Sequence, residues 1–169
     1  MKSALCVLSV ALVALAVACS GPAKPPEPPA AAPVSREPTG HYDIKADPAV
    51  DLAVAVKTAT ASQKRILLVV GGEWCSWCHI LDTYIKTNPD IQQTWNDRYV
   101  TLFVNWSEEN KNQAFLSKYP TIGGYPHIFV LDTSGELLHS QDTALLEEGR
   151  SYSKAKMQEF LDRWKPLAG

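Results

Sequence analysis

The chain has 169 residues, with 16 Lys or Arg against 18 Asp or Glu and a formal charge of −2 at neutral pH. The longest basic run is Lys64-Arg65, so the cationic face that polyanion binding requires is missing and no nucleic-acid partner is expected. Four cysteines, only two of them in the body of the sequence, are too few for a structural disulfide framework.

At the N-terminus, Lys2 precedes an apolar run from Ala4 to Ala18 broken only by Ser9. A spanning helix needs about 20 apolar residues. This run is shorter, so residues 1–18 read as an export signal. It ends in Ala16-Val17-Ala18-Cys19. Small residues ahead of a cysteine resemble the bacterial lipoprotein signal, with Ala16 standing where Leu is usual. The resemblance implies cleavage before Cys19, lipidation of Cys19, and an exported protein held to a membrane of the cell envelope by that lipid. Ser20 is compatible with sorting to an outer membrane. A plain signal cleaved after Ala18 would instead leave Cys19 as a free thiol, open to oxidation.

Residues 19–40 carry Pro22, Pro25, Pro26, Pro28, Pro29, Pro33 and Pro38. Such a stretch buries no core and favours polyproline II at about 3.1 Å per residue, which makes a semi-rigid stalk.

Residues 41–169 form one domain of common size. Its first stretch, 41–45, reads as a short edge strand. Asp47 followed by Pro48 gives an N-cap and a proline at the first helical position. Leu52, Val56 and Ala59 then recur at helical spacing, predicting a helix over 48–62. The continuous apolar run 65–70 suits a strand buried on both faces, ended by Gly71-Gly72. A helix starts at Cys75 with Ile80, Leu81, Tyr84 and Ile85 on one side. Asn88-Pro89 interrupts it, and 90–96 adds a further turn or two. Residues 99–104 form a second buried strand, and 108–118 a short helix carrying Ala114, Phe115 and Leu116. Strands over 127–131 and 136–139 flank the turn Asp132-Thr133-Ser134-Gly135 as a hairpin. Ser153 caps a closing helix through Met157, Phe160, Leu161 and Trp164, stopped at Pro166. Strands separated by helices imply parallel crossovers. The fold class is therefore α/β, a central mixed β-sheet with helices on both faces.

The chemistry concentrates in Glu73-Trp74-Cys75-Ser76-Trp77-Cys78-His79, between a buried strand and an amphipathic helix. Cys75 falls at a helix N-terminus, where unpaired N–H groups and the helix dipole favour an anion. The thiolate is the nucleophile of disulfide exchange. Cys78 lies one turn further on the same side, placed to attack a mixed disulfide at Cys75. A disulfide across so short a loop removes little chain entropy, so redox work or ligand binding is expected rather than stapling.

These residues resemble the thioredoxin superfamily over about residues 50–165. The resemblance is carried by Ile66-Leu67-Leu68-Val69-Val70, by Trp74-Cys75-x-x-Cys78, and by Gly124-Tyr125-Pro126-His127-Ile128-Phe129-Val130-Leu131-Asp132. It implies a thioredoxin-like fold and thiol-disulfide exchange with Cys75 as nucleophile and Cys78 as resolving thiol. It also implies a cis peptide before Pro126, a Tyr125 backbone that hydrogen-bonds an extended substrate segment, and Trp74 packed beside the site. The implied partners are protein thiols and disulfides of the envelope, with a second redox protein that resets the cysteines. No cofactor beyond the reversible Cys75–Cys78 disulfide is expected, and no metal.

Two departures from the family pattern stand out. Val69 occupies the position of a buried acid, which leaves proton transfer at Cys78 to Glu73, His79 or water, unless Glu73 is simply a solvated loop residue. Ser76-Trp77 replaces the Gly-Pro dipeptide that tunes redox potential; Trp77 would shield the cysteines, contact a substrate or simply pack, and a protonated His79 would steady the Cys75 thiolate unless it is merely an exposed helix residue.

Two alternatives use the same residues. Cys75-x-x-Cys78-His79 also spells the c-type haem attachment motif, with Met157 or another histidine as opposite ligand. Cys75, Cys78, His79 and His127 could instead bind a thiophilic ion such as copper, although a closed four-ligand zinc site lacks a second cysteine pair.

Overall fold

The structure, a computed structural model, describes residues 42–167. The export signal, Cys19 and the Pro-rich stalk lie outside the described residues.

Asp47 caps helix α1 (Pro48–Ser62) by accepting the Ala49 N–H at 2.9 Å, and Pro48 takes the first helical position, where a missing N–H costs nothing. Gln63 closes the helix in the left-handed region at φ 56°. Strand β1 (Arg65–Gly71) follows. Helix α2 (Ser76–Thr87) and helix α3 (Pro89–Arg98) are separated only by Asn88, whose side chain donates to the Tyr84 carbonyl at 2.7 Å. Strand β2 (Tyr99–Asn105), helix α4 (Gln113–Leu116), strand β3 (His127–Leu131) and strand β4 (Leu137–Asp142) come next. A 3-10 turn (Thr143–Leu146), the two-residue strands β5 (Glu147–Glu148) and β6 (Ser151–Tyr152), and helix α5 (Lys154–Arg163) complete the described chain.

The main sheet has the order β2-β1-β3-β4, with β1 parallel to β2 and antiparallel to β3. Side-chain alternation along β1 divides the core. Ile66, Leu68 and Val70 face Ala55, Ala59 and Phe115 of α1 and α4. Leu67 and Val69 face Leu81, Ile91, Trp95 and Phe160 of α2, α3 and α5. Helices thus cover both faces of a mixed sheet. None of the described helices is long and apolar enough to cross a membrane.

Four expectations are corrected. Residues 42–45 form a turn, not an edge strand; Tyr42 is instead held by a side chain, as described below. The helix predicted over 108–118 is the single turn α4, because asparagines take over the backbone before it. The Asn105 side chain donates to the Asn110 carbonyl (2.9 Å), the Asn112 side chain to the Asn105 carbonyl (2.8 Å), and Asn112 itself sits at φ 45°. Side chains of this type compete with helical hydrogen bonds in just this way. The third strand does not arrive by a parallel crossover. Asn105 at the end of β2 pairs with Gly71 and His127 at the start of β3 pairs with Val70, so residues 106–126 begin and end at the same end of the sheet, and β3 enters antiparallel to β1. The fourth strand also runs longer than predicted, to Asp142.

Candidate active site

Strand β1 ends at Gly71, and the chain turns through 72–75 into α2. Three hydrogen bonds brace that turn: Cys75 N–H to the Gly72 carbonyl (3.0 Å), Trp106 N–H to the Gly71 carbonyl (2.6 Å) and the Trp74 indole N–H to the Trp106 carbonyl (2.7 Å). Gly72 has no room for a side chain, since a Cβ there would run into the Trp74 indole and the Trp106 carbonyl.

Cys75 is the N-cap of α2, and its Sγ accepts the Cys78 N–H at 3.1 Å. The two cysteines form a disulfide with Cα atoms 5.3 Å apart. Both are nearly closed to solvent, Cys75 at 3% and Cys78 at 4% exposure. In the reduced state the same N–H and the helix dipole would stabilise a Cys75 thiolate.

The Tyr125–Pro126 peptide is cis. Val70 pairs with His127, so Pro126 lies at the end of the sheet where Gly71 leads into the cysteines. The Pro126 carbonyl accepts the buried Thr143 hydroxyl at 2.5 Å, which ties the start of β3 to the turn after β4. The Tyr125 ring packs against the cluster containing both cysteines.

Trp74 is 54% exposed. It meets Tyr125 (5.6 Å between ring centres) and Trp106 (5.7 Å) edge to face, while Trp106 and Tyr125 stack at 4.9 Å. Trp106, which follows β2, was missed by sequence reasoning. A tryptophan just after a strand carries no motif, and only the fold brings it to Trp74.

Ser76 is exposed on the first turn of α2. Trp77 is half-buried and meets Tyr152 edge-on at 5.7 Å. Its ring therefore packs under β6. His79 directs Nε2 to the Glu73 carbonyl at 2.8 Å, with the Glu73 carboxylate 3.9 Å away. Its ring is engaged with residue 73 rather than turned to the cysteines. The Glu73 carboxylate is more than a solvated loop group, because it accepts the Tyr42 N–H at 2.9 Å.

That bond places Tyr42 over the cysteines, another contact that sequence reasoning missed. Tyr42, Cys75 and Cys78 form one buried cluster. A Cβ on Gly71 would lie 2.5 Å from the Cys78 Sγ and 2.8 Å from the Tyr42 hydroxyl oxygen. The sulfur and the phenol thus share the space that a side chain there would fill. Burial raises the Tyr42 pKa far above its usual value, with Tyr152, Glu73 and Asp82 adding to the effect. Val69 is fully buried beneath and supplies no acid.

The residues of the two alternative readings are otherwise occupied. Met157 is fully buried in the core below α2. The buried His127 points Nε2 at the Ser140 hydroxyl, 2.9 Å away, and burial lowers its pKa. Among the described residues no three His, Cys, Asp or Glu side chains are grouped to hold a metal ion.

Residues 46–133 match the thioredoxin-like family. The thiol:disulfide interchange protein DsbD of Citrobacter koseri is 30% identical over 95 residues, which is 56% of this chain and 16% of that protein. The DsbD of Actinobacillus pleuropneumoniae is 33% identical over 98 residues, covering 57% and 17%. The chain thus spans about one sixth of the length of these curated relatives. A disulphide isomerase of Xylella fastidiosa superposes with a TM-score of 0.62 at 21% identity, over 72% of this chain and 94% of that one. The oxidised C-terminal domain of Neisseria meningitidis DsbD superposes with a TM-score of 0.53 at 18% identity, over 74% and 99%. At these identities the structural likeness concerns the fold.

Proposed function

The chain belongs to the thioredoxin-like family, and from that membership we propose that it is a thiol-disulfide oxidoreductase acting on protein substrates in the cell envelope. One observation carries the reading: the Cys75–Cys78 disulfide sits at the N-terminus of α2, with Cys75 as its cap. In the reductive direction the Cys75 thiolate attacks a substrate disulfide. One substrate sulfur leaves as thiolate and the other is held in a mixed disulfide. Cys78 then attacks the Cys75 sulfur, the Cys75–Cys78 bond forms and the second substrate thiolate departs. The oxidative direction is the same sequence reversed. Trp74 and the Tyr125-Pro126 backbone flank the point of attack and would bind the substrate segment. A second redox protein resets the cysteines. Export and lipid attachment at Cys19 are supported by the apolar run 4–18 and by the Pro-rich stretch after it.

The test is a titration of the protein against a glutathione buffer, followed by Trp fluorescence and free-thiol counting, with a visible spectrum recorded alongside. A reversible two-electron transition without haem absorbance is expected. A midpoint near thioredoxin's, about −270 mV, assigns reduction, and one near about −120 mV assigns oxidation. A Soret band, or thiols that do not cycle, would sink the proposal. In cells, Cys78→Ser should accumulate mixed disulfides through Cys75, and Cys19→Ala should abolish incorporation of labelled fatty acid into the protein.

A further inference from the structure

Cys78 has a chemical problem that Cys75 does not. To resolve a mixed disulfide it must first shed its proton, and, while it is as closed to solvent as Cys75 (4% against 3% exposure), it lacks the N–H that Cys75 receives. Desolvation disfavours a thiolate. The N-terminal amide of α2 that could help, the Cys78 N–H, is already directed at the Cys75 sulfur.

We infer that the Tyr42 hydroxyl is the group that serves Cys78: it donates a hydrogen bond to the Cys78 thiolate and passes the proton between that sulfur and the solvent of the adjoining cleft. This rests on the exchange reading above. The hydroxyl oxygen and the sulfur both lie against the bare backbone of Gly71, 2.8 Å and 2.5 Å from the point a Cβ there would take. The tyrosine is fixed at both ends, its N–H on the Glu73 carboxylate at 2.9 Å and its ring edge-on to Phe103 at 5.4 Å. Burial keeps the phenol protonated, so it acts as a donor and not as a phenolate base. Tyr42 and Cys78 both line a cleft of about 570 Å³ that extends between α2, α3 and β2, with Asp82, Lys86 and Thr101 further along it. That cleft is the way out for the proton.

The ionisable groups around the phenol are Glu73 from the preceding turn, His79, Asp82 and Lys86 from α2, and Tyr152 from β6. The facing residues of α3 and β2 (Gln92, Trp95, Thr101 and Phe103) carry no charge. The step balances simply. The Cys78 proton moves through the Tyr42 hydroxyl to cleft solvent, and the Cys78–Cys75 bond forms. The bond from Cys75 to the substrate sulfur breaks, and the substrate thiolate leaves with the electron pair.

The experiment uses the full chain in detergent with Cys6→Ser, Cys19→Ser and Cys75→Ser, so that Cys78 is its sole thiol. Iodoacetamide alkylation is followed against pH with and without Tyr42→Phe. Removing the hydroxyl should raise the midpoint by about one pH unit, a roughly tenfold loss of thiolate at neutral pH. In chains keeping both active-site cysteines, Tyr42→Phe should slow resolution of a preformed Cys75 mixed disulfide about tenfold, with the first attack by Cys75 unchanged. The ring is retained, so packing alone would move neither readout. As a second measurement on the sole-thiol protein with Tyr42 intact, the 13Cζ resonance of Tyr42 should step at the Cys78 midpoint. Equal alkylation midpoints together with a flat Tyr42 resonance would overturn the role of Tyr42 while leaving exchange standing. A parent chain that exchanges no disulfides would overturn the functional reading instead, and the alkylation comparison would still decide whether Tyr42 serves the Cys78 sulfur.

Discussion

Gly71 and Cys78 are so close that a Cβ on the glycine would lie 2.5 Å from the cysteine sulfur. Its backbone needs no left-handed conformation; what it needs is bareness. Gly71→Ala should therefore overpack the site, pushing on both Cys78 and Tyr42, and should destabilise the oxidised protein by about 1–3 kcal/mol. Urea unfolding of the oxidised forms checks this. An unchanged midpoint would mean that Cys78 and Tyr42 move aside freely.

Trp74 is largely exposed and contributes rim contacts rather than core. Trp74→Phe should change stability by less than about 1 kcal/mol. It should slow exchange with a protein disulfide several-fold and leave exchange with dithiothreitol nearly unaltered, since only a protein substrate reaches across the Trp74, Trp106 and Tyr125 rings. Parallel rate measurements with the two exchange partners, the protein disulfide as oxidant and dithiothreitol as reductant, separate the cases; equal slowing of both would assign Trp74 to the cysteines themselves.

The Thr143 hydroxyl, buried, donates to the Pro126 carbonyl. Thr143→Val keeps the shape and removes the donor, so it should cost about 1–3 kcal/mol, read as a drop of several degrees in Tm. Thr143→Ser should recover most of it.

All six tyrosines, Tyr42, Tyr84, Tyr99, Tyr119, Tyr125 and Tyr152, have pKa values raised first of all by burial. The unfolded chain releases these protons near pH 10, before the folded one does. Stability is thus fully present below about pH 10 and is lost as the pH rises beyond it. A tyrosinate absorbance titration should show little ionisation near pH 10, then a steep rise that coincides with loss of far-UV ellipticity. A smooth single titration centred on pH 10 would contradict the burial of these phenols.

Much of the fold was legible because the signals were local. Asp47 before Pro48 marks the start of α1, and the unbroken run of β1 marks a central strand. Cys75 and Cys78 are legible for the same reason, since strand, turn and helix are contiguous around them. What escaped was set by contacts between distant residues. Glu73 captures the Tyr42 N–H across 31 residues, which turns a predicted edge strand into a turn over the active site. Trp106 reaches Trp74 only because β1 and β2 run side by side. The shortening of α4 depends on three asparagines reaching each other's backbone, and no helical periodicity in 108–118 reports that.

The stretch that matches the family begins at residue 46, four positions after Tyr42. A fragment cut at that boundary would keep β1, α2 and both cysteines, and would lose the phenol from above Cys78 and the amide that engages Glu73. Its resolving sulfur would be roofed by water in place of a ring. Thiol reactivity measured on such a fragment would describe a more open sulfur than the one the whole chain encloses, so the family's boundary and the boundary of the cysteines' enclosure have different first residues.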